Sequence, residues 1–407
     1  MKCNNVLCHY NSSLSLDIPS SISKAVLALY GVDSVKNISR REKKSISQII
    51  RGLFSQEQAD YNGCWREYAL YYLPTNFYKV WRPLTDLVKL NQLKEIIKVL
   101  DLGCGPGTAS LGLIEFYVYL AKENPSKKFS INITALEREM GFLDVFKNIF
   151  RYYRGSLPSN LQVEIIGKNC EIKEGFCLEE SFDLIIESNM LNPNEQGVKD
   201  NIHSALAEVF NKALNQHASI ILIEPAKQSL NQELQGFKTK LIGQGFNVYA
   251  PCCFGCLECT QFASAKVFYD KVNLIQQLRE ENLITNGSNF HSFEYAVMRK
   301  DGLVMHTPKK HRTALSDLKQ HIGGYIDFKA QVLSYTHKAA GLSIKICDGT
   351  LSKSQQVWFD ISYSLVNSYF SNDIEIERGC YIEVKQAKVI DSRNISCELR
   401  TSIKLTR

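Results

Sequence analysis

Two segments of the chain contain residues whose types and spacing could bind a cofactor or a metal. The first, Val99–Ala109, reads VLDLGCGPGTA and has three closely spaced glycines. Glycine lets the backbone turn sharply and approach a ligand closely. The second segment, Ala250–Cys259, reads APCCFGCLEC and places four thiols within eight residues. Clustered thiols can converge on one metal ion or cluster. The two segments therefore predict a nucleotide-type ligand site and a metal site.

The glycine segment lies where an apolar strand ends and a helix begins, so the N–H groups of the helix start would point at the ligand. A dinucleotide site would need G-x-G-x-x-G, whereas this loop reads G-C-G-P-G. Ligands of open α/β sheets bind outside the carboxyl ends of the strands, and an acid there can accept from ribose hydroxyls. We expect Glu137, at the end of the second strand, to have that role. The predicted ligand-binding residues are Asp101, Gly103, Gly105, Gly107, Glu137, Ser188 and Asn189.

The cysteine segment has the spacing C-x2-C-x2-C at Cys253, Cys256 and Cys259, which is also found at the start of the bacterial ferredoxin run. Cys252 or a distant cysteine could complete four ligands. Tetrahedral zinc held by thiolates is the rival interpretation. A reduced, cysteine-rich loop without metal is the third. No catalytic base can be identified from the sequence, and methyl or other group transfer can proceed largely by proximity and alignment.

Composition limits the classes of protein that these sites could belong to. The chain has 407 residues, 44% hydrophobic and 22% charged, with a net charge of +6. This composition excludes wholesale disorder and collagen-like repeats. No apolar run is long enough to cross a membrane, and the first residues lack the apolar core of a signal peptide. We therefore expect a cytoplasmic protein without a membrane partner, in which clustered cysteines bind metal more often than they form disulfides.

The secondary-structure elements that must position these residues can be predicted from the pattern of residue types along the chain. Residues 1–95 read as a helical region, with a basic stretch near residue 40 and an aromatic block at Tyr61–Trp81 that Pro74 should divide into two helices. Residues 96–300 alternate apolar strands with amphipathic helices and predict an α/β domain with a Rossmann-like, seven-stranded mixed sheet. The cysteine-rich loop, residues 250–260, directly follows its sixth strand.

The last hundred residues have a residue pattern typical of an all-β domain. Residues 301–322 read as a basic linker, and residues 323–407 contain five strands with a helix between the third and fourth, the order of an OB-like β-barrel. Such barrels bind oligonucleotides through aromatic stacking and nearby cations. Ordinary core packing is the alternative for the aromatic residues. The candidate nucleic-acid-binding residues are Lys309, Lys310, Arg312, Lys345 and Trp358.

The chain resembles a known family from about residue 60 to about residue 312. VLDLGCGPGTAS, SNMLNPNE after strand four, IILIEPA on strand five and APC followed by clustered cysteines are similar to the mitochondrial small-ribosomal-subunit assembly methyltransferase-like proteins and their bacterial relatives. The glycine loop by itself resembles that of class I S-adenosylmethionine (SAM) methyltransferases. The resemblance implies SAM binding, a four-cysteine [4Fe–4S] cluster and association with the small ribosomal subunit. By position it implies Cys252, Cys256 and Cys259 as cluster ligands, with Cys253 as the fourth.

The sequence therefore favours a SAM-dependent methyltransferase that acts on RNA, with ribosomal RNA or the small ribosomal subunit as its target. Asn192-Pro193-Asn194-Glu195 is similar to the N-P-P-aromatic motif of amino-nitrogen methyltransferases, but Glu195 stands where the stacking aromatic would be. A non-catalytic assembly factor that binds SAM and metal is the alternative. A methyltransferase that acts on DNA or on a small molecule is a further alternative.

Overall fold

The computed structural model describes residues 16–55, 63–191, 196–226, 228–251, 265–284, 289–305, 313–351, 355–365 and 381–406. These described residues group into two compact units. The first lies within Met1–Lys238 and Ala265–Glu294, and the second within Thr239–Ser264 and Tyr295–Arg407. Among the described helices, none has the length and the apolar character that crossing a bilayer requires.

The described part of the first unit begins with four α-helices: α1 Ser20–Ala28, α2 Arg40–Ser55, α3 Trp65–Asn76 and α4 Trp81–Lys89. Pro74 does not divide the aromatic block where we predicted, because it lies inside α3, which continues to Asn76. Side chains satisfy the last turn of this helix. Thr75 Oγ1 donates to the Tyr71 carbonyl at 2.9 Å, and Asn76 Nδ2 donates to the Tyr72 carbonyl at 2.8 Å. The helix therefore ends two residues after the proline instead of before it.

The aromatic block packs against the α/β core. The indole Nε1 of Trp81 donates to the Gly112 carbonyl at 2.9 Å, and a Cβ at Gly112 would overlap the Phe77 carbonyl oxygen. Gly112 therefore allows the backbone of the helix at residues 108–123 to approach the segment before α4. Phe77, Val80 and Trp81 are all buried, which fixes the helical region on the core.

The core is a mixed eight-stranded sheet with helices between its strands. Its strands are β1 Ile96–Leu102, β2 Phe129–Glu137, β3 Leu161–Asn169, β4 Phe182–Ser188, β5 Leu214–Pro225, β6 Asn247–Ala250, β7 Ala265–Phe268 and β8 Phe290–Arg299. The helices are α5 Thr108–Glu123, α6 Met140–Tyr153, α7 Gln196–Ala213, α8 Gln228–Gly243 and α9 Asn273–Glu280. The strand order is β3-β2-β1-β4-β5-β8-β6, with β7 paired to β8 off this path.

The sheet confirms the Rossmann-like α/β prediction and corrects its strand number. Strands β3, β2, β1, β4 and β5 pair in parallel, whereas β8 is antiparallel to both β6 and β7. We predicted seven strands, and the additional one is β7. It has only four residues, Ala265–Phe268, too few for a clear alternating pattern, so the sequence suggested only a helical insertion at this point.

The second unit contains a six-stranded sheet of β9 Tyr325–Lys338, β10 Gly341–Cys347, β11 Val357–Ser362, β12 Tyr381–Val389, β13 Asn394–Ser396 and β14 Ser402–Thr406. Its order is β13-β11-β10-β9-β12-β14. Strand β13 pairs in parallel with β11 and antiparallel with β12. The pairings therefore form a closed path through five strands. The fifth predicted strand, Ile395–Leu405, is two shorter strands, β13 and β14.

A turn after β10 anchors the chain that enters this sheet. Asp348 Oδ2 accepts from the Leu315 N–H at 2.7 Å, and Asp348 Oδ1 accepts from the Thr350 hydroxyl at 2.7 Å. Leu315 begins a 3-10 helix, Leu315–His321, whose Leu318 is also buried in the core of the sheet. The carboxylate of Asp348 therefore fixes the start of this helix over the core.

Candidate functional site

The glycine loop joins β1 to α5 and has a backbone that glycine permits. Gly103, Gly105 and Gly107 all have positive φ, at 58°, 52° and 81°. Gly107 precedes the first residue of α5, and its carbonyl accepts from Leu111 N–H at 2.8 Å. Added Cβ atoms would overlap the Met190 side chain at Gly103 and the Phe146 ring at Gly107. The loop is therefore closely packed on two sides, and α5 begins directly after it.

Glu137 lies at the end of β2 and connects that strand to the glycine loop. Its Oε2 accepts from the Gly105 N–H at 2.9 Å, and its Oε1 accepts from the Glu139 N–H at 2.9 Å. A carboxylate has about four acceptor positions, so each oxygen keeps one for a ligand hydroxyl. The structure thus holds Glu137 in a fixed orientation beside Gly105, as a ribose-binding acid requires.

Asp101 is buried beneath the loop. Its Oδ2 accepts from the Ser110 hydroxyl at 2.5 Å, which links the end of β1 to the first turn of α5. Burial raises the pKa of Asp101 to about 7, although the hydrogen bonds from Ser110 favour the charged form. Its role in the described structure is therefore to hold the loop from below.

Cys104 cannot act as a nucleophile from within this loop. The thiol is buried, and its Sγ donates to the Gly105 carbonyl at 3.4 Å. Burial, together with the charges of Asp101 and Glu137, raises the pKa of Cys104 well above its usual value. Because the thiolate is the reactive form, this cysteine is a structural part of the loop.

The turn after β4 carries the two remaining predicted ligand-binding residues. Ser188 ends the strand and accepts from the Asn189 amide Nδ2 at 3.1 Å. Asn189 has a left-handed backbone, with φ of 62°, and its N–H donates to the Ile223 carbonyl of β5 at 2.9 Å. Met190 follows and covers Gly103. The turn after β4 therefore lies directly against the glycine loop.

Two buried glutamates hold this turn. Glu187 Oε1 accepts from the Met190 N–H at 2.8 Å, and Glu224 Oε1 accepts from the Leu191 N–H at 3.0 Å. Both are fully or almost fully buried, at 0% and 2% exposure. They lie near the carboxyl ends of the neighbouring strands β4 and β5. Each of these carboxyl groups is buried away from water and instead accepts a hydrogen bond from a backbone N–H of the turn.

Burial favours the protonated form of both glutamates. Burial and the charge of Glu224 raise the pKa of Glu187 well above its usual value, and burial also raises the pKa of Glu224. When ionised, Glu187 has an Oε2 with no hydrogen-bond partner among the described residues. Protonation of Glu187 turns this group into a donor to Glu224. Burial and the charge of Glu224 therefore favour the protonated form of Glu187.

A lysine beside Glu224 and a histidine near that lysine escaped the sequence analysis. Lys79 is 5% exposed, and burial lowers its pKa to about 8, although the nearby Glu224 charge favours its protonated form. His291, in β8, has a pKa lowered to about 3 by burial and by the charge of Lys79. The imidazole is therefore neutral at physiological pH. Only the acids gave a sequence signal, since Glu187 and Glu224 interrupt the apolar runs IIES and LIEP.

In the second unit, two of the predicted nucleic-acid-binding residues come together. Lys345 and Trp358 lie directly opposite each other on the antiparallel strands β10 and β11. Both are half-buried, whereas the neighbouring Phe359 is completely buried in the core. The strands therefore place a cation and an indole on the same outer face of the sheet.

The remaining predicted residues lie outside the described part of the chain. They are Cys252, Cys253, Cys256, Cys259, Lys309, Lys310 and Arg312, together with the segment Asn192–Glu195. Within the described residues, no group of three or more histidine, cysteine, aspartate and glutamate side chains is arranged to hold a metal ion. The metal prediction therefore concerns the cysteine segment alone.

Comparison with known proteins gives similarity to methyltransferases. No family model matches the chain. Solved structures similar to it include a SAM-dependent methyltransferase from Clostridium acetobutylicum (TM-score 0.33, 15% identity, 64% of this chain and 99% of that one). A coclaurine N-methyltransferase bound to N-methylheliamine and SAH gives a TM-score of 0.30 at 11% identity, over 72% and 99% of the two chains. A glycopeptide N-methyltransferase complexed with sinefungin gives 0.31 at 10%, over 55% and 93%. Similarities of this size do not identify a substrate.

One curated protein is also similar in sequence. Over 159 residues the chain is 27% identical to a protein described as probable polyketide synthase 10 from Dictyostelium discoideum. The match spans 38% of this chain and only 6% of that protein. The first unit has a Rossmann-like α/β core with a mixed sheet, in which Glu137 at the end of β2 contacts the glycine loop after β1.

Proposed function

We propose that this protein is a SAM-dependent methyltransferase that acts on RNA, with ribosomal RNA or the small ribosomal subunit as its target. The observation that carries the SAM assignment is the connection between Glu137 and the glycine loop. Glu137 accepts from the Gly105 N–H at 2.9 Å and keeps acceptor positions for ribose hydroxyls. Ser188 and Asn189 lie on the turn that covers the loop, near the methionine end of the cofactor.

The chemistry required of the protein is alignment. In-line methyl transfer from a sulfonium needs the acceptor atom held against the methyl group, and proximity supplies much of the rate. The buried glutamates Glu187 and Glu224 fix the backbone of residues 190–191 through two N–H groups. A turn held in this way would orient an acceptor group with little motion. Burial lowers the pKa of His291 to about 3, so this imidazole stays neutral and is a weak base at physiological pH.

The RNA part of the proposal draws support from the second unit. We assign its sheet to an OB-like barrel, because the strand pairings form a closed path in which β13 joins β11 and β12. Lys345 and Trp358 face each other on β10 and β11, the strands that carry the ligand in such barrels. An indole with an adjacent cation suits stacking of an unpaired base. The basic residues Lys309, Lys310 and Arg312 add cationic charge in the sequence just before this sheet.

The cysteine segment belongs to the proposal as a [4Fe–4S] site, with zinc as the rival. Its donor set is four thiols, Cys252, Cys253, Cys256 and Cys259, which suits either metal. Anaerobically purified protein should be brown and contain iron and sulfide. A colourless protein with stoichiometric zinc would replace the cluster assignment, and a protein with neither metal would remove it.

One assay decides the function. Purified protein, tritiated SAM, total RNA and small-subunit particles are incubated together, and label in RNA is counted. SAM binding is measured by calorimetry on the same preparation, and a Glu137→Ala variant serves as control because it removes the expected ribose acceptor. Label in RNA that depends on Glu137 supports the proposal. Transfer only to DNA or to small amines would assign a different substrate class.

A non-catalytic assembly factor is the second candidate. The observation that favours it is the use of both buried carboxyls, Glu187 and Glu224, to hold backbone N–H groups of the turn. Acids used in this way are not available as general bases. SAM binding without transfer to any RNA or particle would establish this alternative over the enzyme.

A further inference from the structure

The second helix of the first unit, α2 (Arg40–Ser55), has one apolar and one strongly basic face. Ile46 and Ile50 are 0% and 1% exposed, so they mark the buried side. At about 100° per residue, Arg40, Lys44 and Arg51 lie within a sector of roughly 40°. Arg41 widens this sector to roughly 100° and stays roughly opposite the buried isoleucines. We call these four residues, Arg40, Arg41, Lys44 and Arg51, the basic stripe.

The other charges of α2 are neutralised, whereas those of the basic stripe are not. Lys43 forms an ion pair with Glu281 at 2.7 Å, and Glu42 lies 3.6 Å from Arg66. Within the described part of the chain, no residue of the basic stripe forms an ion pair or a side-chain hydrogen bond. All four are exposed. The only acid of the helix therefore belongs to a different face, and the stripe is a continuous positive surface.

Helix stability does not explain this arrangement. Ser39 caps the N-terminus of the helix, because its Oγ accepts from the Glu42 N–H at 3.3 Å and also donates to Glu42 Oε2 at 2.7 Å. Arg40 and Arg41 follow directly in the first turn, where the helix dipole is positive and cations are unfavourable. An anion bound to the stripe would relieve both this repulsion and the repulsion among the four cations.

The geometry points to a nucleic-acid backbone as the occupant. From Arg40 to Arg51 the helix rises about 16 Å, which is enough to face several consecutive phosphates. A membrane-bound amphipathic helix would need its apolar face for lipid, but Ile46 and Ile50 are already buried in the protein. We propose that the basic stripe docks the phosphate backbone of the RNA substrate. This inference rests on the proposed RNA-directed function and adds the surface that holds the RNA.

The test compares two variants of the full chain with the same change in net charge. The stripe variant carries Arg40→Gln, Arg41→Gln, Lys44→Gln and Arg51→Gln. The control variant carries Lys122→Gln, Lys128→Gln, Arg154→Gln and Lys173→Gln, four exposed cations elsewhere on the first unit. Binding of a short fluorescein-labelled RNA of mixed sequence is measured by anisotropy over about 50–200 mM salt. Circular dichroism and SAM calorimetry establish that both variants are folded.

Each phosphate contact contributes about 0.7–0.9 to the slope of log K against log salt, so loss of four should reduce the slope by about 3. We expect the stripe variant to bind RNA about tenfold or more weakly, and the control variant to stay within about twofold of the parent. Equal losses in the two variants, or no loss in the stripe variant, would overturn the inference. Stripe-dependent binding to polyglutamate or to anionic vesicles in preference to RNA would also overturn it.

The outcomes separate this inference from the proposed function. If the parent protein methylates RNA and the stripe variant binds RNA as well as the parent, the proposed function stands and the docking surface is wrong. If RNA binding depends on the stripe but no methyl group is transferred, the docking surface stands and the enzyme assignment is wrong.

Discussion

The packing of the glycine loop makes Gly107 much less replaceable than Gly105. Both residues have positive φ, at 81° and 52°, so alanine at either position costs about 1–2 kcal/mol in backbone strain. A Cβ at Gly105 meets no atom within 4 Å, whereas a Cβ at Gly107 overlaps the Phe146 ring. Overpacking adds about 1–3 kcal/mol. We therefore expect Gly107→Ala to lower the free energy of unfolding by about 2–5 kcal/mol, against about 1–2 kcal/mol for Gly105→Ala.

The assay is urea unfolding followed by tryptophan fluorescence, with SAM affinity measured by calorimetry on the same samples. Phe146→Leu provides the partner for a double-mutant cycle. It should cost about 1–2 kcal/mol by itself, because it leaves a small cavity. Combined with Gly107→Ala it should recover about 1–3 kcal/mol, since the ring that clashed is gone. Combined with Gly105→Ala it should be additive.

Two results would refute this reasoning. Equal destabilisation by Gly105→Ala and Gly107→Ala would show that only the backbone matters at the loop. Additivity of Gly107→Ala with Phe146→Leu would show that the ring is not the obstacle. A normal SAM affinity in Gly107→Ala would separate the packing of the loop from ligand binding.

Three further predictions concern buried acids. The pKa of Asp101 is raised to about 7, so the native state holds a proton that the unfolded chain releases near pH 4, and stability should fall as the pH rises from about 4 to 7. Asp101→Asn should flatten this part of the pH profile and unfold at higher urea than the parent at pH 8, and an unchanged profile would contradict it. Glu187→Gln keeps an acceptor for Met190 and a donor to Glu224, so its melting temperature should stay near that of the parent. Glu224→Gln leaves the Lys79 charge without its nearby carboxylate and should lower the melting temperature by several degrees. A larger loss for Glu187→Gln than for Glu224→Gln would show that Glu187 is not the protonated acid of the pair. Asp348→Ala removes the acceptor of Leu315 N–H and of Thr350 N–H and should lower the free energy of unfolding by about 1–3 kcal/mol. Chemical denaturation should show a smaller loss for Asp348→Asn. Equal losses in the two variants would argue against the hydrogen bonds.

Continuous apolar runs made much of the α/β core predictable. The bounds of β1, β2 and β4 match the runs IIKVLDL, FSINITALE and FDLIIES, in which the buried positions are mostly apolar. The loop of Gly103–Gly107 is similarly visible, since only glycine tolerates its backbone. Elements that depend on tertiary contacts were not predictable. The end of α3 after Pro74 is stabilised by side-chain hydrogen bonds from Thr75 and Asn76, which no propensity reveals.

Only part of the candidate site could be predicted from the sequence. Glycines and the acid at the end of β2 have a positional signal along the chain. Lys79 and His291 have none, because the fold brings Lys79 from the helical region to Glu224 and His291 from the last strand of the core to Lys79. A lysine in an aromatic segment reads as a surface residue until the fold buries it. The charge balance around the turn after β4 is therefore a property of the fold.

The path of the chain through the two compact units affects how the protein can be synthesised and divided. The first unit includes Ala265–Glu294, which follows a segment of the second unit, Thr239–Ser264. A ribosome making this chain must therefore deliver residue 294 before the first unit is complete, and β6 is made well before the sheet of β9–β14 in its own unit. No single cut yields either unit as an unbroken polypeptide. Truncation at residue 300 would leave the first unit whole and would remove β9–β14 together, the sheet whose buried core residues all lie between Leu315 and Cys397.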